Sequence, residues 1–450
     1  MEITRFAPSP SGLLHVGNAR TALINFLYAK KHKGNFLLRI DDTNASNTSK
    51  EFCNAIFSDL RWLSIEWKDL IFQSKRTQIY KHFAQYLISI GKAYPCYETK
   101  EELEQHRQLC LVNKLPPKYN RASLKISQDK IKQYEKEGRN PYYRFKLDNV
   151  KLEWNDLVRG NVSIDTTSLS DPVIIKEDGS ITYLISSVID DIEYSISTII
   201  RGEDHITNTA IQIQMMQAIG KQIPQFAHIS LLRFQDSKIS KRVGGHDIQS
   251  LKNKITPLVL TNFLSQIGTS DNVTLYDSVD QLTQHFDLRK LSTSNTQYDS
   301  TTLARLNKQH LKLLSYSQVQ SLLNNKLNIS EKFWDCISGN VSYINDIYLW
   351  HDIIYVKPVQ HSITLDQHYL KQTVELLPEK ITETTWKEWS ENISKVANQN
   401  GKELILPIRV ALTGLTHGPS IAKLLQLMTR DEIVDRIQIQ IAVTQNKTEG

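Results

Sequence analysis

Cysteine is scarce in this chain: four in 450 residues, at Cys53, Cys96, Cys110 and Cys336. None forms a C-x-x-C pair, and four thiols in so long a chain make no disulfide framework, so a reducing compartment is expected. No apolar run approaches the roughly 18 residues that a membrane span needs. The opening Met1-Glu2-Ile3-Thr4-Arg5 lacks a basic stretch followed by an apolar one, so no secretory signal is expected and the expected location is cytoplasmic. Internal repeats and long low-complexity tracts are missing too. There is no G-x-G-x-x-G. Gly12 and Gly17 have the glycine spacing of a P-loop, but Asn18-Ala19 stand where Lys-Ser/Thr would be. No lysine can reach a phosphate from that turn, which excludes a P-loop.

What is present is ordinary for a soluble globular protein: 40% hydrophobic and 23% charged residues, in a length that implies two to four domains. The formal net charge of +6 permits a polyanionic partner without demanding one.

Residues 2–6 read as a short buried strand. Two prolines and a glycine then forbid helix until about Gly17. From Asn18, Ala22, Leu23, Phe26 and Leu27 recur at helical spacing up to Gly34. Residues 36–40 form a second strand, closed by Asp41-Asp42-Thr43-Asn44. Strand, loop, helix and strand within some 40 residues make one βαβ unit of a parallel sheet. Ligands bind such sheets at the carboxyl ends of the strands, where the Ala7–Gly17 loop and the Asp41 corner lie. Residues 76–90 predict another helix. Residues 97–180, rich in Lys, Glu and Tyr, read as an insertion. Residues 182–200 read as a β-rich run returning to the core, and a strand is expected around 228–234. Beyond about 255 helical periodicity dominates, and the tail after about 443 is expected to fray.

Three features carry chemistry. The first is the glycine-bounded turn with His15 inside it. It feeds a helix N-terminus, where backbone N–H groups favour an anion and glycine admits a nucleotide. A tight turn with a structural histidine fits equally. The second is Lys238-Ile239-Ser240-Lys241-Arg242 beside Gly244-Gly245, a cationic loop suited to closing on pyrophosphate. Taken alone, it is also a solvated basic loop. The third is the pair Arg5 and Arg201, each at or just past a predicted strand end. Two guanidinium forks can specify an acidic side chain, and each could equally be a surface salt bridge.

Taken together, the stretch from Arg5 to Ala22 resembles the N-terminal nucleotide motif of the glutamyl-tRNA synthetase family, in bacterial form a class I aminoacyl-tRNA synthetase. Lys238–Arg242 looks like that family's second motif. Arg201–Thr209, Gln73–Tyr80 and Pro407–Pro419 also match, in the family's order. The resemblance covers nearly the whole chain.

It implies an α/β fold: a Rossmann-type parallel-sheet catalytic domain with an inserted acceptor-binding domain, followed by an all-α anticodon-binding region. The boundaries it suggests are 1–96 and 181–250 for the two halves of the core. The insertion spans 97–180, a stem-contact helical region 251–315 and the anticodon region 316–450. The implied reaction ligates L-glutamate to tRNA(Glu) through glutamyl-adenylate, releasing AMP and diphosphate; tRNA(Gln) is left open as a second substrate. The implied catalytic residues are His15, Lys238 and Lys241. ATP is placed against Ser9, His15, Gly17, Asp204, Leu232 and Lys241, with Mg2+ on its phosphates. Glutamate is placed against Arg5, Ala7, Ser9, Asp41, Tyr183, Arg201 and His205. A monomer is expected, with no membrane partner.

The sequence departs from the family pattern at three places. Asn18 replaces a common histidine. The corner reads Asp41-Asp42-Thr43-Asn44 where glutamyl enzymes more usually have Glu-Asp-Thr-Asp; in this form it is similar to the corner of glutaminyl enzymes. Cys96 is followed by Tyr97-Glu98, so the C-x-C half of a zinc site carried by some members is missing, and no zinc is expected. A glutaminyl-tRNA synthetase is the nearest rival, but its family has a β-barrel anticodon region, against the helical pattern here.

Overall fold

The computed structural model describes residues 1–43, 48–234, 246–324, 326–358, 363 and 365–448. Lys238, Lys241, Arg242 and Asn44 therefore lie outside the described residues. So do residues 449–450 and the rest of the 235–245 loop, and of residues 444–448 no side chain is described. The chain clusters into two compact units. One comprises residues 1–252 and 257–300; the other comprises 253–256 and 301–450. The stretch 251–315, expected as one region, is divided between them.

In the first unit, β1 (Ile3–Phe6) and β2 (Asn35–Ile40) run parallel, joined by α1 (Val16–Lys31). Val16, Ala19, Leu23 and Leu27 of α1 are buried, and the Thr4 hydroxyl on β1 donates to Asn25 O of the helix at 2.9 Å. His15 caps its start by accepting from the Gly17 N–H, and Lys30 and Lys31 face its negative C-terminal end. β3 (Leu70–Phe72) adds beside β2, giving the order β1-β2-β3. α2 (Lys50–Trp62) crosses between β2 and β3, and α3 (Thr77–Ser89) follows β3 and ends before Gly91, whose φ of +69° suits glycine.

The insertion begins with β4 (Ala93–Cys96), α4 (Lys100–Val112) and α5 (Gln128–Lys136). β5 (Tyr142–Phe145) pairs antiparallel with β4 and, on its other side, with β8 (Val173–Ile175). Between them, β6 (Lys151–Asp156) and β7 (Gly160–Asp165) form a hairpin that leaves the insertion. The end of β6 pairs with the core strand β10 (Gln225–Ile229), which in turn lies parallel to β9 (Thr198–Gly202). The second sheet is thus β7-β6-β10-β9. Part of the expected 97–180 insertion extends the core, and that extension delivers Asp156 beside His228.

The β-rich reading of 182–200 is corrected. Its first part is helix α6 (Tyr183–Glu193), and only β9 at its end is strand. The β-branched residues favour a strand locally. Tertiary burial overrides that preference, because the helix covers Ile185, Val188 and Ile189 and turns Asp190 and Asp191 onto buried arginines. α7 (Ile206–Ile219) follows β9. The strand expected around 228–234 is two: β10, and β11 (Leu232–Phe234), which pairs with β12 (Thr296–Tyr298).

The second unit is helical. Its core gathers Phe333, Trp334, Trp350, Tyr369, Trp389 and Ile408. The Trp389 Nε1–H donates to Thr373 O at 2.8 Å, and the Tyr369 hydroxyl donates to Leu404 O at 2.7 Å. The Pro407–Pro419 motif forms the end of the Gly401–Thr413 helix and the turn after it. Gly418 is required there, since a Cβ would stand 2.4 Å from the Trp350 ring. No described helix in either unit is long and apolar enough to cross a membrane.

Candidate active site

A cavity of about 520 Å³ opens where the carboxyl ends of β1, β9 and β10 meet the N-terminus of α1. Its lining includes Arg5, Ala7, Ser9, His15, Gly17, Tyr183, Arg201, Asp204, His205 and Leu232. Each of these was expected at the site from sequence, on segments up to about 230 residues apart in the chain. Asp41 does not line it. Asp41 is buried and both its oxygens accept from Arg39, Nε to Oδ1 at 2.7 Å and Nη2 to Oδ2 at 3.3 Å. Burial pushes the Asp41 carboxyl up to about 6 despite that partner.

His15 stands at the mouth of α1, its Nδ1 3.2 Å from the Gly17 N–H and its ring edge-on to Phe234. Burial, with His246 adding like charge, holds its pKa below the ordinary value, while Asp247 pulls the other way. At neutral pH it is an uncharged acceptor at a helix N-terminus. On the opposite wall, Gly202 permits the chain to turn at Asp204: a Cβ at that position would meet Asp204 Oδ1 at 2.4 Å and Leu231 at 3.1 Å.

Arg201 is 5% exposed. Its Nη2–H donates to Thr209 Oγ1 at 2.6 Å. Its Nε and Nη1 make no hydrogen bond of good geometry among the described residues, although the Tyr183 phenol stands close by. Burial, joined by the like charge of Arg5, brings its pKa down to about 10, and Tyr183 and Asp191 oppose that fall. The group stays a cation, and its Nε and Nη1 lack a well-aligned acceptor beside an open cavity. A buried cation in that state attracts an anion that can pair with it.

Sequence reasoning missed the residues behind these. Arg20 lines the cavity, although it lies on the buried face of α1. It donates from Nη1 to Ser230 O at 2.8 Å and from Nη2 to Ile267 O at 3.1 Å, tying α1 to the turn after β10. Burial lowers its pKa to about 10. Arg39 donates from Nη1 to Asp191 Oδ1 at 2.9 Å, and Asp191 also holds Arg5. Asp190 accepts from Arg76 Nε at 2.8 Å, from Gln73 Nε2 at 2.9 Å and from the Tyr80 hydroxyl. The signals were there: an arginine amid Ala19, Ala22 and Leu23, and two adjacent acids inside an apolar run. Charges on an apolar face announce buried partners. Among the described residues, no three His, Cys, Asp or Glu side chains are grouped so as to hold a metal ion.

Two family models match the chain: tRNA synthetases class I (E and Q), catalytic domain, over residues 3–312, and an anticodon binding domain over residues 302–441. Glutamate–tRNA ligase 1 of Rickettsia prowazekii is 45% identical over 439 residues, covering 97% of this chain and 98% of the relative. Glutamate–tRNA ligase 1 of Orientia tsutsugamushi (strain Ikeda) is 45% identical over 441 residues, with 97% and 98% covered. A crystal structure of glutamate-tRNA synthetase from Elizabethkingia anophelis superposes with a TM-score of 0.82 at 25% identity, covering 98% of this chain and 99% of that one. A glutamate tRNA ligase structure from Elizabethkingia meningosepticum, in complex with its amino acid, shares the fold with the same TM-score at 24% identity and the same coverage.

Proposed function

The chain belongs to the tRNA synthetases class I (E and Q) and is a glutamate–tRNA ligase by that descent, and from this we propose that it glutamylates tRNA(Glu) through an enzyme-bound glutamyl-adenylate. In the first step an α-carboxylate oxygen of glutamate attacks the α-phosphorus of ATP, and pyrophosphate leaves. In the second, a terminal ribose hydroxyl of the tRNA attacks the acyl carbon, and AMP leaves. No protein nucleophile takes part; the protein's contribution is positioning and charge stabilisation.

In this reading the α1 end of the cavity takes ATP. Ser9, His15, Gly17, Asp204 and Leu232 cradle the nucleotide, and Lys238 and Lys241 bring charge to the departing phosphates. Magnesium arrives as the counter-ion of the triphosphate. The β1–β9 end takes glutamate, with Arg5, Arg201 and Tyr183 toward its side chain and Ala7, Ser9 and His205 around its backbone. Asp41 is the carboxylate assigned to the ammonium. Both its oxygens are engaged by Arg39, so this role requires that pair to rearrange as the substrate enters.

One observation carries the choice of substrate: the buried Arg201 guanidinium lines an open cavity with Tyr183, and its Nε and Nη1 have no well-aligned hydrogen-bond acceptor among the described residues. A carboxylate accepts from the guanidinium with two charged oxygens, whereas a carboxamide accepts only with its neutral carbonyl oxygen and sets its NH2 against donors. The helical second unit supports a glutamyl rather than a glutaminyl enzyme. Charging of purified tRNA(Glu) and tRNA(Gln) with labelled glutamate and labelled glutamine tests the proposal. Glutamate should be attached to tRNA(Glu), and attachment of glutamate to tRNA(Gln) would extend the range. Glutamine attached in preference to glutamate would overturn the reading.

A further inference from the structure

Behind Arg201 lies a chain of hydrogen bonds that reaches no solvent. Asp156 ends β6, His228 sits on β10, Thr209 on the first turn of α7 and Arg201 on β9. In the register of β10 with β9, His228 stands directly opposite Arg201. The distances are 2.6 Å from His228 Nδ1 to Asp156 Oδ2, 2.8 Å from His228 Nε2 to Thr209 Oγ1 and 2.6 Å from Arg201 Nη2 to Thr209 Oγ1. The relative exposures are 2%, 0%, 0% and 5% for Asp156, His228, Thr209 and Arg201.

Proton bookkeeping gives this chain one direction. Asp156 Oδ1 accepts from the backbone N–H groups of Val158, Arg159 and His228. Burial works against its charge, but these bonds and the His228 ring hold its pKa below the usual carboxylate range. An ionised Asp156 fixes the proton of His228 on Nδ1. Burial keeps the imidazole neutral, against the pull of Asp156, so Nε2 is left as an acceptor. The Thr209 hydroxyl has one proton. It goes to Nε2 at 2.8 Å rather than to the His205 carbonyl at 3.2 Å. The lone pairs of Thr209 are then free for Arg201. Each member decides the donor or acceptor state of the next, and the last bond pins one corner of the guanidinium.

We propose that Asp156, His228 and Thr209 form a positioning relay that holds Arg201 in one rotamer, so that its unpaired Nε and Nη1 donors face the cavity and select a carboxylate side chain. The inference rests on the reading of Arg201 as the glutamate side-chain contact. A guanidinium held at one corner binds a two-oxygen ligand without first losing rotamer freedom. Arg5 is held in the same manner from another side by Asp191, so both candidate carboxylate contacts are braced from beneath.

The test measures KM for glutamate and for ATP by pyrophosphate exchange in the presence of tRNA. It compares wild type, Thr209→Val, Thr209→Ser, Arg201→Gln and the Val/Gln double variant. Thr209→Val keeps the shape and deletes the hydroxyl. It should raise the glutamate KM roughly ten- to hundredfold and leave the ATP KM unchanged. Thr209→Ser restores the hydroxyl and should restore most of the glutamate affinity. In the double variant the valine should add little to the loss caused by Arg201→Gln, because the two act on one contact. If the valine chain melts early, Thr209→Ala reports the same missing hydroxyl. A glutamate KM unmoved by Thr209→Val while Arg201→Gln loses glutamate would refute the relay and spare the reading of Arg201. Equal rises in both KM values without rescue by serine would also refute it. A glutamate KM unmoved by Arg201→Gln would sink both.

Discussion

Asp191 grips Arg5 at two points, Nε to Oδ1 at 3.0 Å and Nη2 to Oδ2 at 3.3 Å, and both side chains are buried. The same carboxylate takes Arg39 Nη1 at 2.9 Å. Burial raises the cost of its charge, but Arg5 and Arg39 hold the Asp191 carboxyl below the usual range. Removing that charge leaves the buried Arg5 without its carboxylate, while Arg39 keeps Asp41. Asp191→Asn should therefore lower the unfolding free energy by about 3–5 kcal/mol, read from urea denaturation. Asp280→Asn breaks the exposed pair with Lys30 and should change stability by less than about 0.5 kcal/mol. Equal effects of the two substitutions would contradict this account of the buried network.

The buried network also shows which parts of the molecule were legible in the sequence. The βαβ start was readable because period and punctuation agree there: prolines, then helical spacing, then Gly34, then a strand. The His15 turn and the pair Arg5 and Arg201 were readable because they follow or end strands, whereas Ser9, Asp204, His205, Tyr183 and Leu232 came only with the family resemblance. Helix α6 was not readable, since its isoleucines and serines carry no local helix signal and its burial is decided by contacts distant in sequence. Asp41 was assigned to the substrate through the family resemblance of its corner. Its engagement by Arg39, two residues earlier on the same strand, is a side-chain choice that no spacing reveals. His228 looked like one more residue of a buried strand until the β6–β7 hairpin brought Asp156 beside it.

Lys241→Ala should nearly abolish adenylate formation while leaving the fold intact. The motivation is the cationic run Lys238 to Arg242 beside Gly244-Gly245 in the sequence. Losing one charge contact to the departing pyrophosphate should cost about 3–4 kcal/mol, or roughly two to three decades in rate. Pyrophosphate exchange, run with tRNA present, reads this directly. A rate within tenfold of wild type would count against the assignment.

With ATP placed against His15 as proposed, ATP binding should be sensitive to acid. Its folded pKa lies below the ordinary histidine value of about 6.5. The stability it contributes is therefore fully present above that value and is lost as pH falls through the folded pKa. Protonation of Nδ1 also sets a donor against the Gly17 N–H that it now accepts. KM for ATP should rise as pH drops below about 6.5, and His15→Asn, which accepts without titrating, should flatten that limb. His205 and His228 are also depressed by burial and stand on the glutamate side. The acid limb of the glutamate KM should thus survive in His15→Asn. An unchanged ATP limb in that variant would show that another group titrates.

The insertion is held by hydroxyls around a carboxylate. Glu98 accepts from Tyr119 at 2.8 Å, from Ser123 at 2.8 and 2.9 Å and from Tyr142 at 3.2 Å, with Cys96 Sγ 3.6 Å from the Tyr119 hydroxyl. One thiol and one carboxylate already engaged by three hydroxyls are a poor donor set for zinc, which prefers four ligands rich in thiolate or imidazole. Chelator-washed protein should contain no stoichiometric zinc by elemental analysis. Glu98→Ala should destabilise the protein by about 2–3 kcal/mol, near 1 kcal/mol for each orphaned hydroxyl. Zinc at one ion per chain, or an unaltered melting transition in Glu98→Ala, would refute this picture of the hub.

The sharpest prediction concerns glutamate against glutamine. Asp41 cannot decide between them: the group assigned to it is the α-ammonium, which both amino acids share. On the proposed reading the decision falls on Arg201, whose Nε and Nη1, without a well-aligned acceptor, would meet either a carboxylate or a carboxamide. Charge-assisted bonds to the carboxylate contribute about 1.5–3 kcal/mol each. Against glutamine the guanidinium keeps its desolvation without a counter-charge, a penalty of about 3–5 kcal/mol by analogy with broken buried pairs. Wild type should therefore prefer glutamate by on the order of a thousandfold or more. Arg201→Gln should erode most of that preference, chiefly by losing glutamate rather than by gaining glutamine, because the substitution removes an attraction and builds no new site for the amide. Activation of both amino acids by both proteins, measured with tRNA present, separates the cases. A mutant that keeps the full glutamate preference would move the recognition of the side chain away from Arg201, to Arg5 and its clasp on Asp191.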